Sequence, residues 1–398
     1  MGSYEANGTI DINELKENLK KTEGVTGANS ITKLPTTVTV EGYKVTIDEN
    51  GKVTIEGEPT GGNDTLTPTA TLQEAIEKDE PLSTTENTIL EDKYKNIIVL
   101  PAGFKINSES ADNVTGGVVI EDVSHEATAG SEFVWIPVGT VYTNETGTAS
   151  ETINLSRYTF AENGTATVYG EKQIAVNNNN EPCDANDENY LASFEEKEKS
   201  DLGNTIALNI ENFKTKATKN HGYYIGRYVA KTPIQRTSKI DELQQITVKK
   251  DDFIYDYVTE IQAASKSQEM YNGETKFTSD LMNSYAWDTA IVFLQIFDDR
   301  ENNAIPYSRQ TSSNSGKLAI QGTNHLEIEN QDKICNIWDM ASNVNEWTTE
   351  TYSNSDVPCV ARSGRWDTSI GYTSARGGGA TNSSSDHAGF RPIIYLQN

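Results

Sequence analysis

Hydrophobic periodicity is short throughout this chain and fades after residue 300, where Gly, Ser, Asn and Thr dominate. Between 94 and 300 the apolar runs are strand-sized: Ile97–Leu100, Val118–Ile120, Phe133–Val138 and Tyr223–Val229, with polar loops between them. Runs of that length bounded by turn residues suit strands rather than helices. One stretch, Ser279–Phe297, has helical spacing, with Leu281, Tyr285, Ala286, Ile291, Leu294 and Ile296 apolar. The pattern predicts short strands, few helices and long polar loops. It argues against a helical bundle or a large parallel sheet.

The N-terminal stretch reads differently. Asp11 and Glu14 have capping-box spacing, and Leu15 and Leu19 fall four apart, which predicts a short helix ending near Gly24. Val38 and Val40, then Tyr43, Val45 and Ile47, then Val53 and Ile55 alternate with period two. Breaks at Glu41-Gly42 and at 48–51 make this a three-stranded antiparallel meander. Residues 57–70 have linker composition, and a short helix is expected at 71–79. The expected organisation is a helix-and-meander unit at 1–58, a linker with a short helix at 59–93, and a large domain at 94–398.

With 33 basic and 59 acidic residues the chain carries a formal charge of −26. Phosphate contacts need clustered Lys and Arg, so this balance argues against nucleic acid and against an anionic membrane surface. No run approaches the roughly 20 apolar residues of a membrane span. Met1, Gly2 and Ser3 read as a cloning remnant, so a native targeting or anchoring segment is expected to have been removed. Cys183, Cys335 and Cys359 are too far apart for a metal knuckle. A Cys335–Cys359 disulfide and separate buried thiols both remain open.

Four segments occur in an order that carries a resemblance: SEFVWIPVG (131–139), GYYIGRYVA (222–230), NSYAWDTAIVFLQ (283–295) and NIWDMASNVNEWTTE (336–350), closed by AGFRPIIYL (388–396). Together they resemble the formylglycine-generating-enzyme-like branch of the C-type lectin fold, over roughly 94–398, which implies an α+β domain with few helices, a small twisted antiparallel sheet and much irregular structure. Trp287, Trp338 and Trp347 are expected in the core, and Arg391 in a structural charge-assisted hydrogen bond. The enzyme of that family relies on paired cysteines near its C-terminus. Here the corresponding stretch, 376–391, contains no Cys. Sulfur is the essential soft ligand and nucleophile, so catalysis loses its residues. A related branch binds iron through three histidines, whereas this chain has four scattered ones, His125, His221, His325 and His387. No enzymatic activity is expected, and no redox cofactor.

Another branch of the fold keeps the scaffold and drops the chemistry: the variable proteins of diversity-generating retroelements, whose C-terminal region is rewritten at adenines. Rewritten Asn codons yield many residues but not Lys, Glu, Gln or Met. Lys and Glu number 60 of 398, so the 46 residues Thr351–Leu396 should hold about seven; they hold none, nor any Gln or Met. Four of the nine Arg, namely Arg362, Arg365, Arg376 and Arg391, fall there. The resemblance implies a ligand surface built from Arg365, Trp366, Asp367, Ile370, Gly371, Tyr372, Gly377, Gly378, Gly379, Ser384, Asp386 and His387. Diversified side chains must face solvent, because random replacement in a packed core destroys the fold. Phe390 and Arg391 are expected to be buried scaffold.

The same resemblance implies a calcium site at Asp339 and Glu346 with the carbonyls of Ser342 and Val344, although Ser342 stands where relatives carry Gly. Two carboxylates with nearby carbonyls suit a hard cation; hydrogen bonds to loop amides are the alternative role. Residues 17–58 are similar to the tail of a Gram-positive type IV pilin-like region. The expectation is a surface-displayed binding protein, pilus-associated, with an unknown protein or surface ligand and other pilin subunits as partners. An oxidase of the formylglycine-generating class and a purely structural minor pilin are the alternatives.

Overall fold

The computed structural model describes residues 25–26, 36–40, 43–47, 53–56, 66–168, 194–196, 206–298, 305–311, 332–352, 356–365 and 371–397. The chain divides into two units, Met1–Thr67 and Pro68–Asn398. In the first, Thr36–Val40, Tyr43–Ile47 and Val53–Glu56 form an antiparallel meander, and Val25–Thr26 adds a fourth strand. Val40 pairs with Tyr43 at one end of the first two of these strands. The helix expected over 11–24 lies outside the described residues.

The second unit mixes α and β structure, with four α-helices among the described residues and several small sheets. Its first helix, Leu72–Lys78, starts at a reciprocal capping box between Thr71 and Glu74. A six-stranded sheet forms the core. Its order is Phe277–Leu281, Pro392–Leu396, Gly222–Gly226, Glu132–Pro137, Val119–Asp122, Phe104–Ile106, antiparallel throughout. Both Gly222–Gly226 and Pro392–Leu396 are buried at every position. That explains why their sequences read as continuous apolar runs rather than alternating ones.

Successive tyrosines on one strand serve opposite faces of this sheet. Tyr223 donates from its hydroxyl to the Ala286 carbonyl at 2.7 Å, and Tyr224 donates to the Val99 carbonyl at 3.0 Å. Phe213, from the helix Ile210–Lys219, packs edge-on against Tyr223 and Tyr395. Each such side chain taken from water contributes about 1.5–3 kcal/mol.

The helix expected at Ser279–Phe297 is Ser284–Ile296, and the preceding Phe277–Leu281 is a strand. Asn283 sets the boundary: its backbone is extended and its side chain accepts the Ala286 amide at 2.9 Å. Leu281 is apolar because it sits in the sheet, not because it begins the helix. From Ala286 to Leu294 every helix residue is buried, the pattern of a helix surrounded by protein.

The Cys335–Cys359 disulfide is not formed; both are free, buried thiols. Cys335 lies between strands Lys333–Ile334 and Ile337–Trp338 and donates to the Thr115 carbonyl at 3.4 Å. Cys359 sits in the strand Cys359–Arg362 of a different sheet, where burial and the Glu260 carboxylate push its thiol up. No described helix is long and apolar enough to cross a membrane.

Candidate functional site

A second sheet carries the site. Asn345–Tyr352 pairs antiparallel with Cys359–Arg362, which pairs antiparallel with Arg376–Gly379; Ala388–Phe390 adds in parallel beside Asn345–Trp347. Register and pleat sort its residues into two faces. Glu346, Arg362 and Arg376 lie opposite one another in one row, and Trp347, Ala361 and Gly377 in the next. Adjacent rows point to opposite faces, so the charged row and the small-residue row are separated by the sheet.

The charged face turns inward onto the helix Ser284–Ile296. Arg362 donates to Asp288 Oδ1 at 2.6 Å and Arg376 to Asp288 Oδ2 at 2.6 Å. Arg376 also donates to Glu350 at 2.9 Å, and Arg157 donates to Glu350 from the far side. All five groups are buried. Burial alone would raise the Glu350 carboxyl, but Arg376, Arg157 and Arg362 outweigh it and hold it at about 2. The network fixes both strands from behind.

The opposite face is open. Its small residues line a groove of about 550 Å³ together with Trp347, Arg365, Gly371, Ser383, Ser384, Ser385 and His387. This volume falls within the range of small-ligand sites. Trp347 is held by a hydrogen bond from Nε1 to the Val258 carbonyl at 2.9 Å. Asn345 donates to the Ser363 carbonyl at 2.7 Å, and His387 Nδ1 lies 2.9 Å from Asp386 Oδ1.

Of the twelve residues the sequence singles out, Trp366, Asp367 and Ile370 lie outside the described residues. None of the other nine is buried. Arg365, Gly371, Gly377, Gly378, Gly379, Ser384 and His387 line the groove. Tyr372 and Asp386 are not in its lining: the Arg309 guanidinium lies 4.2 Å from the Tyr372 ring centre, and Asp386 contacts His387. Sequence reasoning missed Asn345, Ala361, Ser363 and the serines Ser383 and Ser385. Only the pairing register reveals that Asn345, Ala361 and Ser363 share a face with Gly377.

The glycines are not equivalent. A Cβ on Gly379 would stand 2.6 Å from the Trp347 ring, and Gly371 has φ +107°, which side chains rarely adopt. A Cβ on Gly378 would meet Val357 at 3.1 Å, whereas on Gly377 it meets nothing nearer than a carbonyl at 3.6 Å. Arginine content also divides. Arg362, Arg376 and Arg391 are buried scaffold, and Arg365 alone of the four lines the groove. The cluster of Arg in 351–396 therefore reflects ion pairing within the fold more than surface replacement. Phe390 and Arg391 are fully buried, as expected of scaffold.

The calcium reading of Asp339, Ser342, Val344 and Glu346 does not fit this geometry. Glu346 is fully buried and both its oxygens accept from Arg391, at 3.0 and 2.7 Å. Asp339 accepts from Asn343 at 3.0 Å. Asp332 ties the loop instead, taking the Ala341 amide and the Ser342 hydroxyl, each at 2.9 Å. A cation on Glu346 would sit against the Arg391 guanidinium, which electrostatics opposes. Among the described residues no group of three or more His, Cys, Asp or Glu is placed to hold a metal. The left-handed positions of this loop fall on Asp339 and Asn343, at φ 63° and 72°, so Ser342 in place of Gly causes no strain.

No protein-family model matches the chain, and a search of the curated proteins finds no relative. Among solved structures it is similar to the crystal structure of CarF, at 14% identity and TM-score 0.29, covering 35% of this chain and 67% of that one. It is also similar to the structure of PvdO from Pseudomonas aeruginosa, at 13% identity and TM-score 0.26, covering 44% of this chain and 82% of that one.

Proposed function

We propose that the chain is a surface-displayed ligand-binding protein of C-type lectin fold. Its site is the groove over Ala361 and Gly377, drawn from a C-terminal region rewritten by a retroelement, and it has no catalytic role. One observation carries the reading: seven of the nine described residues singled out by a Lys- and Glu-free stretch converge on one open groove. An ordinary polar loop would have no reason to gather them. The buried ion network behind the sheet supplies the complement, a fixed frame on which groove side chains are exchanged without loss of fold.

The pilin-like N-terminal unit would serve as the stem that displays the head at the cell surface, beside other pilin subunits. The flanking DNA tests the whole reading. A near-copy of the codons for 351–396, differing at adenines and lying beside a reverse transcriptase gene, is the expected finding. A locus without such a copy would leave a structural minor pilin as the better reading.

A further inference from the structure

The loop Ser383–His387 is pinned to one segment of the chain. The Tyr257 amide donates to the Ser385 carbonyl at 2.9 Å, and the Val258 carbonyl accepts from Trp347 Nε1 at 2.9 Å. Segment 255–258 thus holds both the serine-rich wall of the groove and its indole. Two acids flank the first of these bonds, Asp256 before Tyr257 and Asp386 after Ser385. Asp256 Oδ1 is buried with no hydrogen-bond partner among the described residues. The neighbouring cation is spent elsewhere: Arg236 donates from all three nitrogens to the main-chain carbonyls of Asp256, Tyr257, Asp241 and Glu242, at 2.9–3.0 Å. Tyr257 holds φ 51°, a left-handed backbone that a bulky residue adopts only under constraint. Arg236 and Asp241 face Asp256 from the loop 236–242, Tyr257 from its own segment, and Asp386, 2.9 Å from His387, from the groove wall. Burial pushes the Asp256 carboxyl up to about 7, with Asp386 and Asp241 adding to it and Arg236 opposing.

Resting on the reading of the groove as the binding site, we infer that the groove wall is a proton switch. With Asp256 neutral, the loop Ser383–His387 stays bonded to Tyr257. Ionised Asp256, buried beside Asp386, drives that loop away and admits water. The bonded state holds the proton more tightly than the open one, where Asp256 regains its ordinary value near 3.8. The contact is therefore complete in acid, weakens as pH rises from there to about 7, and changes no further above that. A ligand that leans on Ser385 or His387 is held more firmly in mildly acidic surroundings.

Hydrogen–deuterium exchange of the full chain, with fragmentation that resolves single amides and correction for the intrinsic pH dependence of exchange, tests this. It needs no ligand, so its outcome is separate from that of the flanking DNA. Protection of the Tyr257 amide should fall about tenfold or more between about pH 5 and about pH 7.5. The Tyr255 amide, bonded to the Ala230 carbonyl at 2.9 Å, should keep its protection. Asp256→Asn, an uncharged isostere, should stay protected throughout, and Asp386→Asn should show a smaller fall. A Tyr257 amide indifferent to pH in the wild-type chain would overturn the proposal. So would a fall shared by the core strand Gly222–Gly226, which marks global unfolding. A fall that persists in Asp256→Asn and vanishes in His387→Gln would overturn it in favour of His387 as the titrating group.

Discussion

A Cβ placed on Gly379 would press on the Trp347 ring at 2.6 Å, whereas one on Gly377 meets open groove. Trp347 has little room to give, since its Nε1 is fixed to the Val258 carbonyl. Gly379→Ala should therefore cost about 1–3 kcal/mol, the usual penalty for overpacking, and Gly377→Ala should stay within about 0.5 kcal/mol. Denaturant midpoints of the two variants check this. Far from the groove, His125 shows a separate residue-scale effect. Its Nδ1 lies 2.8 Å from the buried Asp122, and Glu274 stands 3.3 Å from its Nε2. The hydrogen bond to Asp122 raises the His125 pKa against the opposing effect of burial. A raised histidine contributes stability that is complete below its ordinary value near 6.5 and is lost as pH climbs through the folded value. Unfolding free energy should fall on the alkaline side of pH 6.5 in the wild-type chain, and this fall should flatten in His125→Gln.

At the scale of elements, the strands Cys359–Arg362 and Arg376–Gly379 act as a partition between a charged interior and an open groove. Arg376 bridges Asp288 and Glu350, so Arg376→Ala would strand two buried carboxylates with fewer partners. Removing one member of a buried ion pair typically costs 3–5 kcal/mol. Urea unfolding should show a loss of about that size for Arg376→Ala and almost none for Arg365→Ala, although the two arginines stand eleven residues apart. Little of this was legible in the sequence. Strand-sized runs located three of the six core strands, and Tyr223–Ile225 is apolar throughout for a direct reason: both sheet faces are covered. The helices Ile210–Lys219 and Glu260–Glu269 were missed, although Asn209 and the Thr259–Gln262 capping box mark their starts. Their apolar residues are sparse, and the caps, not the periodicity, carried the signal. The opposite fates of Arg362 and Arg365 depend on the cross-strand register of Arg362 with Arg376, which no local pattern encodes.

At the scale of the molecule, the compositionally biased C-terminal stretch supplies most of the groove lining. The Lys- and Glu-free stretch reports a property of the whole C-terminal region, and seven of its nine described candidate residues line one groove. Family resemblance was less dependable for metal, since the paired Glu346 and Arg391 hold together what an ion would otherwise hold. A chelator should accordingly leave the thermal midpoint unchanged; a fall on adding chelator, restored by calcium, would contradict that geometry. The central claim is that an exchangeable groove rests on a fixed charged scaffold. A saturation substitution scan of 359–391, read by the fraction of folded protein at each position, tests it most directly. Arg365, Gly377, Ser384, Asp386 and His387 should accept most residues, whereas Arg362, Arg376, Gly379, Phe390 and Arg391 should accept almost none. Intolerance at Arg365, Gly377, Ser384, Asp386 and His387 as strict as at the buried arginines would contradict the account.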